Sequence, residues 1–454
     1  MLSLTLAAMA IAYLDRICIS TAAPAIRADL GLSDAQMGYV FSAFTLAYAL
    51  FEVPAGWLAD RFGARAMLTR IVVWWSAMTA ATGAATGFAS LVAVRGLFGM
   101  GEAGVLPSMT RAYAHWLPFR ERGRAFGLTI MAAALGGAAT QPLVVALLER
   151  VSWRHAFPVF GSVGLVWAAV WLWWFRDDPR EHAGVNAAEL AVIGSGSGSE
   201  LEPAAGFGYE SGSAAGSGSA VGPESEPRTG ARCESGGEAA HTGVPWAAML
   251  RSPGLRALCA MYFGAIYGWY FYLTWLPTYL LRARGFDLHA VGWLAALPLL
   301  GIAAGSLGGG AVSDLLARRF GARAGLRAPG LVGLPLAALA VLGAIATSDP
   351  RTAAYLLACA AGLAALGVAP AWAVCLSIGG RHAGVVSGAM NTFGNLGGML
   401  SPVVVGGSLT AWGSWEAPLY SVAALYLAAA ACWLGIDPAA PLDVTAPAAG
   451  RAAA

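Results

Sequence analysis

The chain contains no lysine, so all 27 of its basic residues are Arg. Without lysine there is no P-loop G-x-x-x-x-G-K-[ST], and ATP drive within this chain is not expected. We read the missing lysine as genomic base composition and give it no mechanistic weight. Charge of either sign is scarce, at 11% of 454 residues against about 25% in a soluble domain. With 58% hydrophobic residues, this composition excludes a soluble globular chain. A net charge of +2 gives no reason to expect nucleic acid as a partner. The six Cys form no C-x-x-C pair and most lie in apolar runs, which supports neither a disulfide framework nor a metal site. We expect no cofactor and no metal. The N-terminal run lacks a basic n-region, so we expect a full span there and not a cleaved signal peptide.

What is present is long apolar runs. A spanning helix needs about 20 apolar residues, and twelve candidates meet that need. They are 3–24, 36–57, 68–87, 91–113, 125–147 and 156–175, then 255–281, 291–312, 328–347, 352–376, 384–406 and 417–436. Runs of this length exclude an outer-membrane barrel, whose strands alternate over about ten residues. The sequence therefore predicts an all-α integral membrane protein of twelve transmembrane helices. Between the sixth and seventh runs lies "GSGSGSELEPAAGFGYESGSAAGSGSAVGPESEP", a Gly/Ser/Ala/Glu-rich stretch that reads as a linker. We expect a six-helix bundle over 1–176, a linker over 177–250, a second six-helix bundle over 251–437 and a short tail over 438–454. A short helix over 186–193 is expected at the membrane surface. The linker has too few apolar residues to fold as an output domain, which argues against a membrane sensor.

Arg placement sets the expected orientation. With both termini and the linker cytoplasmic, the inside loops hold fifteen Arg and the outside loops six. The loop after the second run reads "GWLADRFGAR" (56–65), and the loop after the eighth reads "GAVSDLLARR" (310–319). Both follow G-x-x-[AS]-D and then basic residues, as duplicated, pseudo-symmetric six-helix units would.

Residues 56–65 match in full the loop motif G-x-L-A-D-R-x-G-x-R of the major facilitator superfamily, which the chain resembles. Finer features resemble its anion:cation symporter branch, which includes transporters of galactonate, glucarate and hexuronates. They are "YLDR" (13–16), "MGYVFSAFTLAY" (37–48), "RGLFGMGEA" (95–103) with Pro107, "HWLPFRERGRAFG" (115–127), "FYLTWLPTYL" (271–280) and "SGAMNTFGNLGGMLSPVVVG" (387–406). The resemblance implies secondary transport, not enzyme activity. It implies proton-coupled uptake of an organic carboxylate, a sugar acid or related monocarboxylate, through a monomer in the bacterial inner membrane. The alternative within the same fold is proton-driven efflux of drugs or metabolites.

The residues themselves point to where the coupling resides. Asp15 and Arg16 sit side by side in the first span, and each costs roughly 2.5–3.5 kcal/mol on insertion scales. The two side chains point about 100° apart, so they serve different neighbours. Arg95 and Glu102 share one face of the fourth span. Asp15 and Glu102 are candidates for carrying the proton. Arg16 offers a bidentate fork to an anionic substrate; Arg95 is expected to pair with a carboxylate and tune its pKa, and is also a candidate for binding the substrate. The competing reading is that these charges are structural ion pairs, with Arg95 snorkelling to the interface. Glu52, just before Pro54, reads as a gate contact and not a proton site. Tyr13 and Tyr48 are uncharged candidates for the pocket, and the resemblance adds Trp372 and Asn391. The chain departs from the sugar-acid pattern in helix five, where Ala133 stands at the position of a Gln, and fewer amides suggest a less hydroxylated substrate. Gly56, Asp60, Arg61 and Arg65, with Asp314, Arg318 and Arg319, are expected to gate the cytoplasmic side or, for the basic ones, to set topology.

Overall fold

The computed structural model of the chain describes residues 1–194, 249, 251–379 and 383–438. The Gly/Ser-rich core of the expected linker and all but the first residue of the expected tail lie outside them. Among the described residues there are sixteen α-helices, one short 3-10 turn and no strand. The first half holds α1 (Leu2–Leu30), α2 (Asp34–Thr82), α3 (Phe88–Glu102), α4 (Val105–Trp116), α5 (Phe119–Leu148) and α6 (Trp153–Trp174). A short α7 (Ala187–Gly194) follows. The second half holds α8 (Pro253–Thr274), α9 (Leu276–Arg282), α10 (Leu288–Leu294), α11 (Leu297–Phe320), α12 (Ala322–Ala346), α13 (Pro350–Ala365), α14 (Val368–Gly379), α15 (Ala383–Trp412) and α16 (Glu416–Gly435).

These helices make twelve spans. Eight segments are long and apolar enough to cross a membrane by length and composition. The others are α8 with α9, the Gly- and Ser-rich α15, and the two arms of α2. At 49 residues, α2 would be about 74 Å long if straight, more than twice a hydrocarbon core. It folds back at Gly63, whose φ of 82° needs a residue without Cβ. The loop expected between the second and third runs is thus helix on both sides of one glycine.

Four spans are broken into two helices, which continuous apolar runs do not reveal. Each break lies just ahead of a proline: Pro107 in α4, Pro277 in α9, Pro298 in α11 and Pro370 in α14. Proline donates no N–H to the carbonyl four residues back and its ring crowds that carbonyl. The prolines inside α1, α5, α6 and α12 leave those helices continuous, so the imino acid alone does not decide the outcome.

The halves touch along two main lines. α2 packs on α15, and α5 packs on α10 and α11. In span numbers these are second against eleventh and eighth against fifth, which exchange under an offset of six spans, as two pseudo-symmetric bundles require. We call the end holding Met1 and residues 174 and 253 the linker end, and the opposite one the Asp34 end. The halves are joined at the Asp34 end. Asp34 Oδ1 takes Arg27 Nη1 at 2.6 Å from α1 and Arg282 Nη1 at 2.8 Å from α9. The Ala35 N–H donates to Thr410 Oγ1 at 3.0 Å, and Ser42 Oγ donates to the Met399 carbonyl at 2.6 Å. Gly38 lies so close to the Pro402 carbonyl that a Cβ would collide with it. Farther toward the linker end, Glu52 meets Asn391 across the halves at 3.3 and 3.2 Å.

Candidate functional site

Midway along α1, neighbouring side chains diverge. Asp15 is fully buried and faces Trp75 and Thr79 on the second arm of α2. Neither of its oxygens is hydrogen-bonded, and the Trp75 Nε1 and Thr79 Oγ1 atoms are likewise buried without a partner. Arg16 turns toward α3 and the first arm of α2. Its Nη2 donates to Glu102 Oε1 at 2.5 Å, and Glu102 is 1% exposed. The guanidinium carbon lies 5.0, 4.8 and 5.2 Å from the ring centres of Tyr13, Phe44 and Tyr48, a three-sided aromatic collar.

Arg95 lies on the other side of Phe44. Its guanidinium carbon is 5.1 Å from that ring and 4.5 Å from Phe98. Its Nη2 donates to the Arg16 carbonyl at 3.5 Å, so it meets a backbone oxygen and not a carboxylate. The Nε atoms of both arginines and Glu102 Oε2 remain buried without hydrogen bonds. Arg16 and Arg95 both line a narrow cavity, with Ser20, Phe44, Tyr270 and Thr274 also in its wall.

The second half makes further contacts nearer the linker end. Asn391 Nδ2 on α15 faces both oxygens of Glu52, at 3.3 and 3.2 Å. Trp372 on α14 donates its indole N–H to the Tyr262 hydroxyl at 3.3 Å. The structure therefore groups Asp15, Arg16, Arg95, Glu102, Tyr13 and Tyr48 in one cluster. Trp372 and Asn391 reach it through Tyr262 and Glu52. Phe44, Phe98, Trp75 and Thr79 do not stand out in the sequence, because an aromatic or hydroxyl residue in an apolar run carries no mark of what it faces. Gln141 is a further addition. It is fully buried on α5, two turns from Ala133, and accepts a hydrogen bond from Thr21. An amide inside an apolar run is the signal that could have found it.

The motif residues lie at the linker end. A Cβ on Gly56 would touch Pro107 at 3.7 Å. Arg61 stacks on Trp57 and Phe62, and Arg65 donates its backbone N–H to Asp177 Oδ1 at 2.9 Å and its Nη2 to the Leu172 carbonyl at 2.5 Å. These contacts tie the third span to the sixth. Asp314, Arg318 and Arg319 are exposed. The Asp60 side chain and Arg381 lie outside the described residues.

The sequence pattern of the Major Facilitator Superfamily matches residues 5–402. Among curated proteins, a "Probable sulfoacetate transporter" of Cupriavidus necator is 36% identical over 95% of this chain and 92% of its own length. The D-galactonate transporter of Escherichia coli is 31% identical over 87% of this chain and 85% of its own. A "Probable galactarate/D-glucarate transporter" of Bacillus subtilis is 31% identical over 93% and 88%. A bacterial homologue of the human lysosomal transporter Spinster, solved in an inward-facing and unoccupied conformation, shares the fold with a TM-score of 0.68. It is 20% identical, and the alignment covers 96% of this chain and 94% of that one. The twelve-span architecture, the match over nearly the whole chain and these relatives place the protein in the major facilitator superfamily of membrane transporters, among its anion:cation symporter-type members.

Proposed function

We propose that the chain is a proton-coupled symporter that takes up a small organic carboxylate by alternating access. The observation that carries this reading is the Arg16–Glu102 pair at 2.5 Å beside the unpartnered, fully buried Asp15. Glu102 occupies Arg16 in this state. A proton on Glu102 neutralises it and frees the guanidinium fork for a substrate carboxylate. Asp15, Arg16, Arg95 and Glu102 sum to zero charge when all are ionised. One proton taken up with each carboxylate leaves the charge of the site unchanged, whereas an anion alone would add a charge with no compensation, which is costly to bury. Asp15, on the other face of α1, is the second proton carrier. Both Asp15 oxygens are buried without a hydrogen bond, and a proton on the carboxyl removes a charge that is costly to bury unpaired.

Sulfonates and sugar acids head the substrates to be tested, because the relatives named above carry sulfoacetate, galactonate and glucarate or galactarate. The two six-span bundles, near 1–176 and 251–437, rock about the central site, with the linker and both termini on the cytoplasmic side of the bacterial inner membrane. The motif residues Gly56, Asp60, Arg61, Arg65, Asp314 and Arg318 close the linker end when the Asp34 end opens. A thermal-shift screen of the purified protein against sulfoacetate, D-galactonate, D-glucarate and short monocarboxylates tests the reading. A rise in melting temperature with one or more acids, absent in Arg16→Ala, is expected. Stabilisation by none of the acids, or only by cationic drugs, sinks it.

A further inference from the structure

One charged group at the junction of the halves has no part in the proton and anion steps above. Glu52 lies on α2 one helical turn, about 6 Å, to the linker side of Tyr48. The Tyr48 ring in turn lies 5.2 Å from the Arg16 guanidinium carbon. Both Glu52 oxygens face the single nitrogen Asn391 Nδ2, at 3.3 and 3.2 Å. An ionised carboxylate has about four lone-pair sites, so this contact leaves most of its accepting capacity unused. The groups facing Glu52 are Arg16 on α1, Tyr48 on its own helix, Tyr262 on α8 and Asn391 on α15. Tyr262 is itself fixed by the Trp372 N–H at 3.3 Å. Arg16 is therefore a positive pole and Glu52 an acceptor pole. Aromatic side chains stand beside both: Tyr13 and Tyr48 at Arg16, and Tyr262, bonded by Trp372, near Glu52.

We propose that Glu52 specifies the far end of the substrate. With its carboxylate toward Arg16, the substrate presents a hydrogen-bond donor, a hydroxyl or an ammonium group, to Glu52. A second anionic group at that end meets the like charge of Glu52 and binds more weakly, so among the acids to be screened D-galactonate, with one anionic group, is expected to bind more tightly than sulfoacetate or D-glucarate, with two. The aromatic faces accept the carbon chain between the two ends, and they favour an ammonium group over an anion. This inference rests on the carboxylate-transport reading and adds to it a choice among carboxylates.

The test uses the purified full chain and four acids of one chain length: butyrate, 4-hydroxybutyrate, 4-aminobutyrate and succinate. Titration calorimetry at neutral pH gives the four dissociation constants. Wild type is expected to bind 4-hydroxybutyrate or 4-aminobutyrate at least tenfold more tightly than succinate, and the tighter of the two identifies the donor. In Glu52→Gln that ratio falls at least tenfold, chiefly because succinate binds better. Glu52→Asp, which keeps the charge, retains the preference for a donor. A ratio equal in wild type and Glu52→Gln, including a uniform weakening of all four acids, overturns the inference and leaves Glu52 as a tie between the halves. A wild-type preference for succinate overturns it without any variant, so a Glu52→Gln that fails to fold does not protect it. If wild type binds none of the four, this inference fails, and the carboxylate-transport reading fails with it only if the thermal-shift screen is also empty; binding with an unmoved ratio removes this one alone.

Discussion

Asp34→Asn should move the protein away from the state closed at the Asp34 end. In that state Arg27 and Arg282 both approach the same Asp34 oxygen, at 2.6 and 2.8 Å, so their two Nη1 atoms are at most about 5.4 Å apart. Only the Arg282 contact crosses between the halves, and its side chain is 41% exposed. As an isolated exposed pair it would contribute about 0.2–1 kcal/mol. The amide substitution does more than remove that attraction, because the two guanidiniums are left facing each other with no anion between them. Two like charges about 5 Å apart repel by about 1 to 3 kcal/mol for effective dielectric constants between those of water and a protein surface. They separate when the end opens, so the repulsion counts against the closed state alone. The expected swing is about 1–3 kcal/mol, a shift of roughly 5- to 150-fold in the population ratio. Maleimide labelling of Ser42→Cys reads this directly, in a background with the native Cys replaced. Ser42 is 6% exposed and bonded to Met399 across the halves in the closed state, so it labels only when that end opens. Ser42→Cys loses the same hydrogen bond with and without Asp34→Asn, so the comparison cancels it. A labelling rate within twofold of the Asp34 protein would refute the view that this shared carboxylate holds the end shut.

Three further outcomes follow from the same contacts. Arg16→Lys keeps the charge but loses the planar fork and its stacking on Tyr13, Phe44 and Tyr48, so carboxylate affinity should fall at least tenfold; an unchanged dissociation constant counts against a bidentate role. Gly38→Ala puts a methyl group into the Pro402 carbonyl when the Asp34 end closes, so transport should slow while the protein still folds, and wild-type uptake rates would contradict the close-approach argument. Asp177→Ala removes the acceptor for the Arg65 N–H just beyond the Gly63 bend, a cap-like loss of about 1 kcal/mol that should lower the melting temperature by a few degrees.

The fold is largely readable from the chain because its signals are local. Twelve apolar runs, the repeated G-x-x-[AS]-D loop and the composition of 195–244 need no tertiary information. What escapes is the local backbone. Residues 58–67 read as a loop on polarity, but helix propensity carries the chain on both sides of Gly63. The breaks before Pro107, Pro277, Pro298 and Pro370 cannot be told by inspection from the prolines that helices tolerate. In the site, cost marks the residues. A charge in a span is expensive wherever it points, so Asp15, Arg16, Arg95 and Glu102 stand out by residue type and position alone. Their pairing does not. Spacing on the fourth span sets Arg95 with Glu102, whereas the fold gives Glu102 to Arg16, 86 residues away, and Arg95 to a backbone carbonyl. The contacts between the halves are the least legible. Glu52 with Asn391 spans 339 residues and Arg282 with Asp34 spans 248, separations set only by how the two bundles meet.

The central claim is that anion movement is tied to protons through Asp15 and Glu102. The direct measurement is accumulation of a radiolabelled acid in proteoliposomes under an imposed proton gradient, using whichever of sulfoacetate or D-galactonate stabilises the purified protein more. Wild type should accumulate the acid above equilibrium only while the gradient lasts. Asp15→Asn and Glu102→Gln should each abolish that accumulation while retaining some exchange of acid across the membrane. Accumulation that survives collapse of the proton gradient, or that persists undiminished in both variants, would contradict the account.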